Sequence, residues 1–159
     1  MKLKFQLNSL TICNSILLSP CQTKKNLINK DLSWEEWIRN DNEVVSYKIV
    51  LIDKKNKSKI FLIVNFTYPV NDGSLLSSWY LSPENIMNGE QSKPEGKVTK
   101  ALRKWFFDKT NTEIPVGGDW GHLDAAYDHW NTVGVIACNY RSSFKNDSEW
   151  KDYRRRNKF

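Results

Sequence analysis

Histidine and cysteine are scarce in this 159-residue chain, with two and three copies. Cys13, Cys21 and Cys138 form an odd set with no Cys-x-x-Cys spacing, so neither a disulfide framework nor a zinc knuckle is indicated. The glycine-rich phosphate loop, the dinucleotide fingerprint, the G-x-S-x-G nucleophile elbow and the H-x-E…P-C-x-x-C deaminase pattern are all missing. No stretch approaches the ~18 consecutive apolar residues that a membrane span requires. Repeats and low-complexity linkers are absent too. What is present is ordinary for one globular domain: 40% apolar residues, 26% charged residues and a net charge of +6. One excess stands out, seven tryptophans.

The front end admits two readings. Lys2 and Lys4, a partly apolar stretch over residues 10–18, the run Leu18-Ser19-Pro20-Cys21 and a polar tether beyond resemble a bacterial lipoprotein signal. Cys21 is then the candidate lipidation site, residues 22–159 are the domain, and the net charge falls to +4. Asn14 and Ser15 interrupt the apolar centre, and Pro20 sits where such signals place a small residue. The other reading is a first strand, because residues 2–8 alternate polar and apolar and put Leu3, Phe5 and Leu7 on one face. The first reading places the protein in the cell envelope, the second in the cytoplasm. Cys138 lies in an apolar run and reads as a small buried hydrophobe.

Beyond the front end, Ser33-Trp34-Glu35-Glu36 has capping-box spacing and predicts a short helix with Trp34, Trp37 and Ile38 on one face. Residues 44–52 and 60–66 are apolar on both faces and flank a lysine-rich turn, which predicts a centrally placed hairpin. Asn71-Asp72-Gly73 marks a turn before a third strand over residues 75–81. Ser82-Pro83-Glu84 starts a helical turn with Pro83 at its first position. Ser92-Lys93-Pro94-Glu95 then opens an amphipathic helix with Val98, Ala101, Leu102, Trp105 and Phe106 inward. The glycine-rich stretch 116–121 leads to a second helix carrying Leu123, Ala126, Tyr127 and Trp130. A strand over residues 132–140 and a helix over 147–156 close the chain. Clustered strands with short connections predict an α+β domain: a mainly antiparallel sheet of four to five strands with helices packed on one face.

Chemistry concentrates in one segment. Asp119, His122, Asp124, Asp128 and His129 lie within eleven residues and are the candidate catalytic groups of a small hydrolase or nuclease. On a helix, His122 and His129 stand ~10 Å apart along the axis, too far to share one metal. No metal or cofactor site is therefore expected, and capping and packing explain these residues as well as catalysis does. Lysine and arginine form three clusters: Lys54/Lys55/Lys57/Lys59, Lys97/Lys100/Lys104 and Arg154/Arg155/Arg156/Lys158. On a single face they would suit nucleic acid. Trp37, Trp105 and Trp130 fall on apolar stripes and read as core. Trp120, between glycines, and Trp79 beside Tyr80 are candidates for a contact surface. With no standard catalytic motif, the first expectation is a non-enzymatic protein that binds a protein partner, toxin neutralisation being one concrete version. Its candidate contacts are Trp120, Trp79, Tyr80, Lys97, Lys100 and Lys104. The hydrolase or nuclease comes second, and nucleic-acid binding third.

Overall fold

The computed structural model describes residues 1–29, 31–40, 43–87, 95–129 and 131–159. Alternation at the front end produces strands. β1 (Leu3–Gln6), β2 (Ser9–Ile12) and β3 (Ile16–Leu18) form an antiparallel three-stranded meander. Its inward residues Leu3, Phe5, Leu10, Ile12, Ile16 and Leu18 are buried in the core. Leu7 departs from the alternating pattern: it enters the β1–β2 turn at φ 59° and is 86% exposed. A single turn of helix, α1 (Lys24–Leu27), follows, with the Thr23 hydroxyl accepting from the Asn26 N–H.

The remaining strands are β4 (Glu35–Asn40), β5 (Glu43–Ile52), β6 (Lys59–Phe66), β7 (Leu76–Pro83), β8 (Val116–Gly118), β9 (Gly121–Asp128) and β10 (Val133–Tyr140). They build one antiparallel sheet in the order β4-β5-β6-β7-β10-β9-β8. Helices α2 (Glu84–Met87) and α3 (Glu95–Thr110) connect β7 to β8, and α4 (Asp147–Asn157) ends the chain. The class is α+β as expected, but the sheet has seven strands and a second sheet of three accompanies it.

The undercount has a specific origin: two segments expected to be helical are strands. β4 pairs with β5, so Trp37 and Ile38 lie on an outer strand, about half exposed, and not on a buried helical stripe. β9 pairs with β10 along its whole length, burying Leu123 and Ala125 at alternate positions. In segments this short, apolar residues spaced three and four apart also satisfy part of a strand pattern, and a neighbouring strand's free backbone groups decide the outcome. Trp130 and the capping residues Ser92, Lys93 and Pro94 lie outside the described residues. Pro83 ends β7, and α2 starts one residue later.

The central hairpin, the inner side of α3 apart from Ala101, and the two faces of β10 follow the sequence reading. β5 and β6 form the hairpin, inside the sheet. In α3, Val98, Leu102 and Phe106 are buried and Trp105 half-buried, while Ala101 is exposed. In β10, Ile136, Cys138 and Tyr140 are buried, and Val133, Val135 and Ala137 face the other way, half-buried.

Register divides the two faces of the sheet. Gly134 shares a face with Ile136 and Cys138, and a methyl at Gly134 would stand 2.4 Å from Val98 and 2.8 Å from Leu102. α3 is therefore docked on that face, where the small sheet also sits: Phe5 of β1 meets Phe106 edge-on at 6.0 Å. The Tyr140 hydroxyl joins the layers. It accepts from Trp79 Nε1 (3.2 Å), and its hydrogen is shared between the carbonyls of Asn8 (2.9 Å) and Leu18 (3.1 Å). α4 instead packs against His122, which pairs with Asn139 on the opposite face. Helices thus lie on both faces, not on one.

Candidate protein-binding face

The His/Asp segment does not converge on one point. His122, 4% exposed, places Nδ1 2.9 Å from the Tyr153 hydroxyl of α4 and stacks on Phe159 at 4.5 Å. Burial pushes its pKa below the usual 6.5, with the charge of Asp124 acting in the other direction. Asp124 is engaged elsewhere, in a two-pronged pair with Arg103 at 3.0 and 2.9 Å. Asp119 is exposed and accepts from Arg154 (2.9 Å). Asp128 accepts from Asn131 (2.7 Å), and the exposed His129 lies 3.3 Å from Glu95. Each of the five is held by a separate partner, and His122 has an aromatic surrounding in place of an orienting carboxylate. Among the described residues, no three His, Cys, Asp or Glu side chains are grouped to hold a metal.

The tryptophans separate as well. Trp79 is fully buried and serves the core through its bond to Tyr140, so it presents no surface. Trp120 is half-buried, its ring 6.3 Å from those of both Phe5 and Tyr140, a plug between the small sheet and the large one. Lys97, Lys100 and Lys104 are exposed on α3, and Lys104 pairs with Asp108 at 2.7 Å. The arginine cluster rides on α4, across the sheet from α3, and Arg154 and Arg155 are paired with Asp119 and Asp152. The basic clusters therefore do not form one continuous face.

A different surface is built by the sheet itself. Opposite residues in register share a face, which aligns Lys48, Ile63, Tyr80 and Ala137 across β5, β6, β7 and β10. On the next rungs Phe61 stands opposite Ser82, and Val135 opposite Ala126. Apart from the buried Ser82, these side chains are half-buried or exposed, and they line an open groove of about 610 Å³ that runs from Trp37 on β4 to Ala126 on β9. The Lys48 ammonium lies 4.2 Å from the centre of the Trp37 ring and 5.4 Å from that of Phe61. Of the sequence-predicted contacts, only Tyr80 lies in this groove. The signal for the rest was the double-sided apolar character of residues 44–52 and 60–66. It indicates two covered faces, whereas helices cover one and leave much of the other open.

A comparison of the sequence with known families finds one whose model matches residues 1–159, described as "RhsI1 immunity protein". The chain belongs to the RhsI1 immunity protein family. It is also similar to a solved structure described as Rhs1-CT in complex with cognate immunity protein RhsI1: TM-score 0.90, 39% sequence identity, 98% of both chains covered. No curated protein matches it. Its function is thus that of an immunity protein, exercised by binding a protein, as the absence of catalytic motifs and the small α+β frame led one to expect.

Membership of the RhsI1 family gives the groove a context. An interface wants aromatic and aliphatic anchors at its centre with polar groups at the rim. The groove has Trp37, Phe61 and Tyr80 within and Asp128 and Asn131 at its border. Among the described residues, no helix is long and apolar enough to cross a membrane.

Proposed function

We propose that the chain neutralises an Rhs1-CT-like toxin, and that it does so with the open face of its seven-stranded sheet. The observation that carries this reading is the aromatic groove: half-exposed apolar side chains on an otherwise well-covered sheet. The similarity to an immunity protein solved in complex with Rhs1-CT supports the class of partner. A blocking substitution tests the face. Ala126 is exposed in the groove, and Ala101 is exposed on α3 across the sheet. Ala126→Arg is expected to abolish capture of the cognate Rhs C-terminal domain and protection of cells producing it, while Ala101→Arg leaves both intact. Equal capture by the two variants would rule out this face.

We further propose that residues 1–21 stay with the folded domain, as the strand reading has it. Leu10, Ile12, Ile16 and Leu18 are at most 2% exposed, and Asn8 and Leu18 hold the Tyr140 hydroxyl. Cleavage before Cys21 would strip these side chains from the core, each worth ~1.5–3 kcal/mol of burial. Intact-mass measurement on the protein from its native host is expected to give the unprocessed chain. A lipid-bearing fragment starting at Cys21 would establish the other reading.

A further inference from the structure

Proteins bind an exposed sheet either along its edge or on its face. The outer edge here is β4, and its pairing with β5 is irregular at two places, between Glu36 and Ile38 and between Ile38 and Arg39. Such bulges twist an edge strand away from a regular ladder and discourage strand addition. The opposite edge, β8, is three residues long, and Phe159 packs against it: a methyl at Gly117 would lie 2.5 Å from that ring. Both edges are blunted, which leaves the face.

Within the face, Lys48 is singular. Its ammonium lies over the rings of Trp37 and Phe61, it is half-buried, and it makes no ion pair among the described residues. Glu35 stands opposite it in register on β4 but is exposed and does not close to an ion pair. A cation held by rings inside an apolar groove lacks the hydration an exposed lysine enjoys, and a carboxylate arriving with a partner would restore its electrostatic stabilisation. The net charge of +6 draws a negatively charged surface toward the molecule.

Resting on the immunity reading above, we propose that Lys48 is the specificity-determining cation of the interface. Its counterpart is an aspartate or glutamate of the toxin, carried beside an apolar side chain that fills the groove between Phe61 and Tyr80. Lys48 fixes which acidic group docks, and the rings around it exclude water from the pair.

The test measures affinity of the full-length chain for its cognate Rhs C-terminal domain, at low and high salt. Lys48→Glu is expected to weaken binding by roughly thirtyfold or more, the scale of an interface hot spot. Lys48→Met, which keeps the packing and removes the charge, is expected to weaken binding about tenfold and to reduce its salt dependence. Lys25→Glu on α1, exposed and away from the groove, is the control and is expected to bind like the parent. Both positions are at least partly exposed, so folding of the three variants is checked simply by the thermal midpoint. If the parent binds while Lys48→Glu and Lys48→Met stay within twofold of it, the role of Lys48 is overturned and the immunity reading stands. If the parent itself fails to bind, both fall together.

Discussion

Tyr140 shows how much one side chain can carry. Its ring is buried at the end of β10, and its hydroxyl serves Trp79 of the large sheet and two backbone carbonyls of the small one. Burial drives its pKa upward, which keeps it a neutral donor and acceptor near neutral pH. Tyr140→Phe removes the shared oxygen and leaves a buried indole N–H and two carbonyls without it. A loss of about 2 kcal/mol is expected in urea unfolding, from the unmet polar groups rather than from packing. A change below about 0.5 kcal/mol would mean that water reaches the site. Cys138, two residues earlier on the same face, is also fully buried, and burial pushes its thiol up. Cys13 and Cys21 are exposed. The apolar run around Cys138 made that burial legible in sequence, whereas nothing local announced that the Trp79 indole would find Tyr140, 61 positions away.

At the scale of elements, the β9–β10 hairpin positions most of what matters. Gly121 opens β9 at φ +148°, and a methyl there would stand 2.3 Å from the Asn139 carbonyl oxygen, an atom of the paired backbone. No side-chain adjustment relieves that contact. Gly121→Ala is expected to cost about 2–3 kcal/mol. Gly96, in the first turn of α3, has open space around it, and Gly96→Ala is expected to raise stability by up to ~1 kcal/mol through helix propensity alone. Thermal unfolding of the two variants should therefore shift in opposite directions, and a matched decrease would contradict the close approach at Gly121. The glycine-rich run was visible in sequence as a break. Its role as the start of a strand was not, because Leu123, Ala126 and Tyr127 satisfy a helical spacing in the absence of β10. The same ambiguity hid Trp37: read on a helix it belongs to the core, and on β4 it lines the groove.

For the molecule as a whole, two titrating groups tie stability to pH in the same sense. His122 is buried against Phe159 and Tyr153, with its folded pKa below 6.5. Between that lowered value and 6.5 the unfolded chain binds more protons than the folded one, so stability falls as pH drops through this window. Asp53 is held down to about 2 from 3.8 by the Met1 amino group and the Lys55 N–H. Its contribution is complete above 3.8 and is lost as pH falls toward about 2. Urea midpoints measured from pH 7.5 downward should decline in two stages, below about 6.5 and again below about 4. His122→Gln is expected to remove the first stage and keep the second. Persistence of the first stage in that variant would assign it to another group.

Composition and pattern alone determined a single α+β domain, the β5–β6 hairpin, the inner faces of α3 and β10 and the helix at the end of the chain. Those features rest on interactions between near neighbours in sequence, or on runs long enough for one periodicity to win. The missing catalytic motifs directed the functional reading to a protein-binding role. Tertiary structure decided what local patterns left degenerate: that residues 35–40 and 121–128 are strands, that His122 is an aromatic-packed residue of the α4 contact, and that one face of the sheet stays open around Lys48. Strand pairing and face coverage depend on backbone groups and side chains brought from distant parts of the chain. A short segment holds no record of the partner that will complete it.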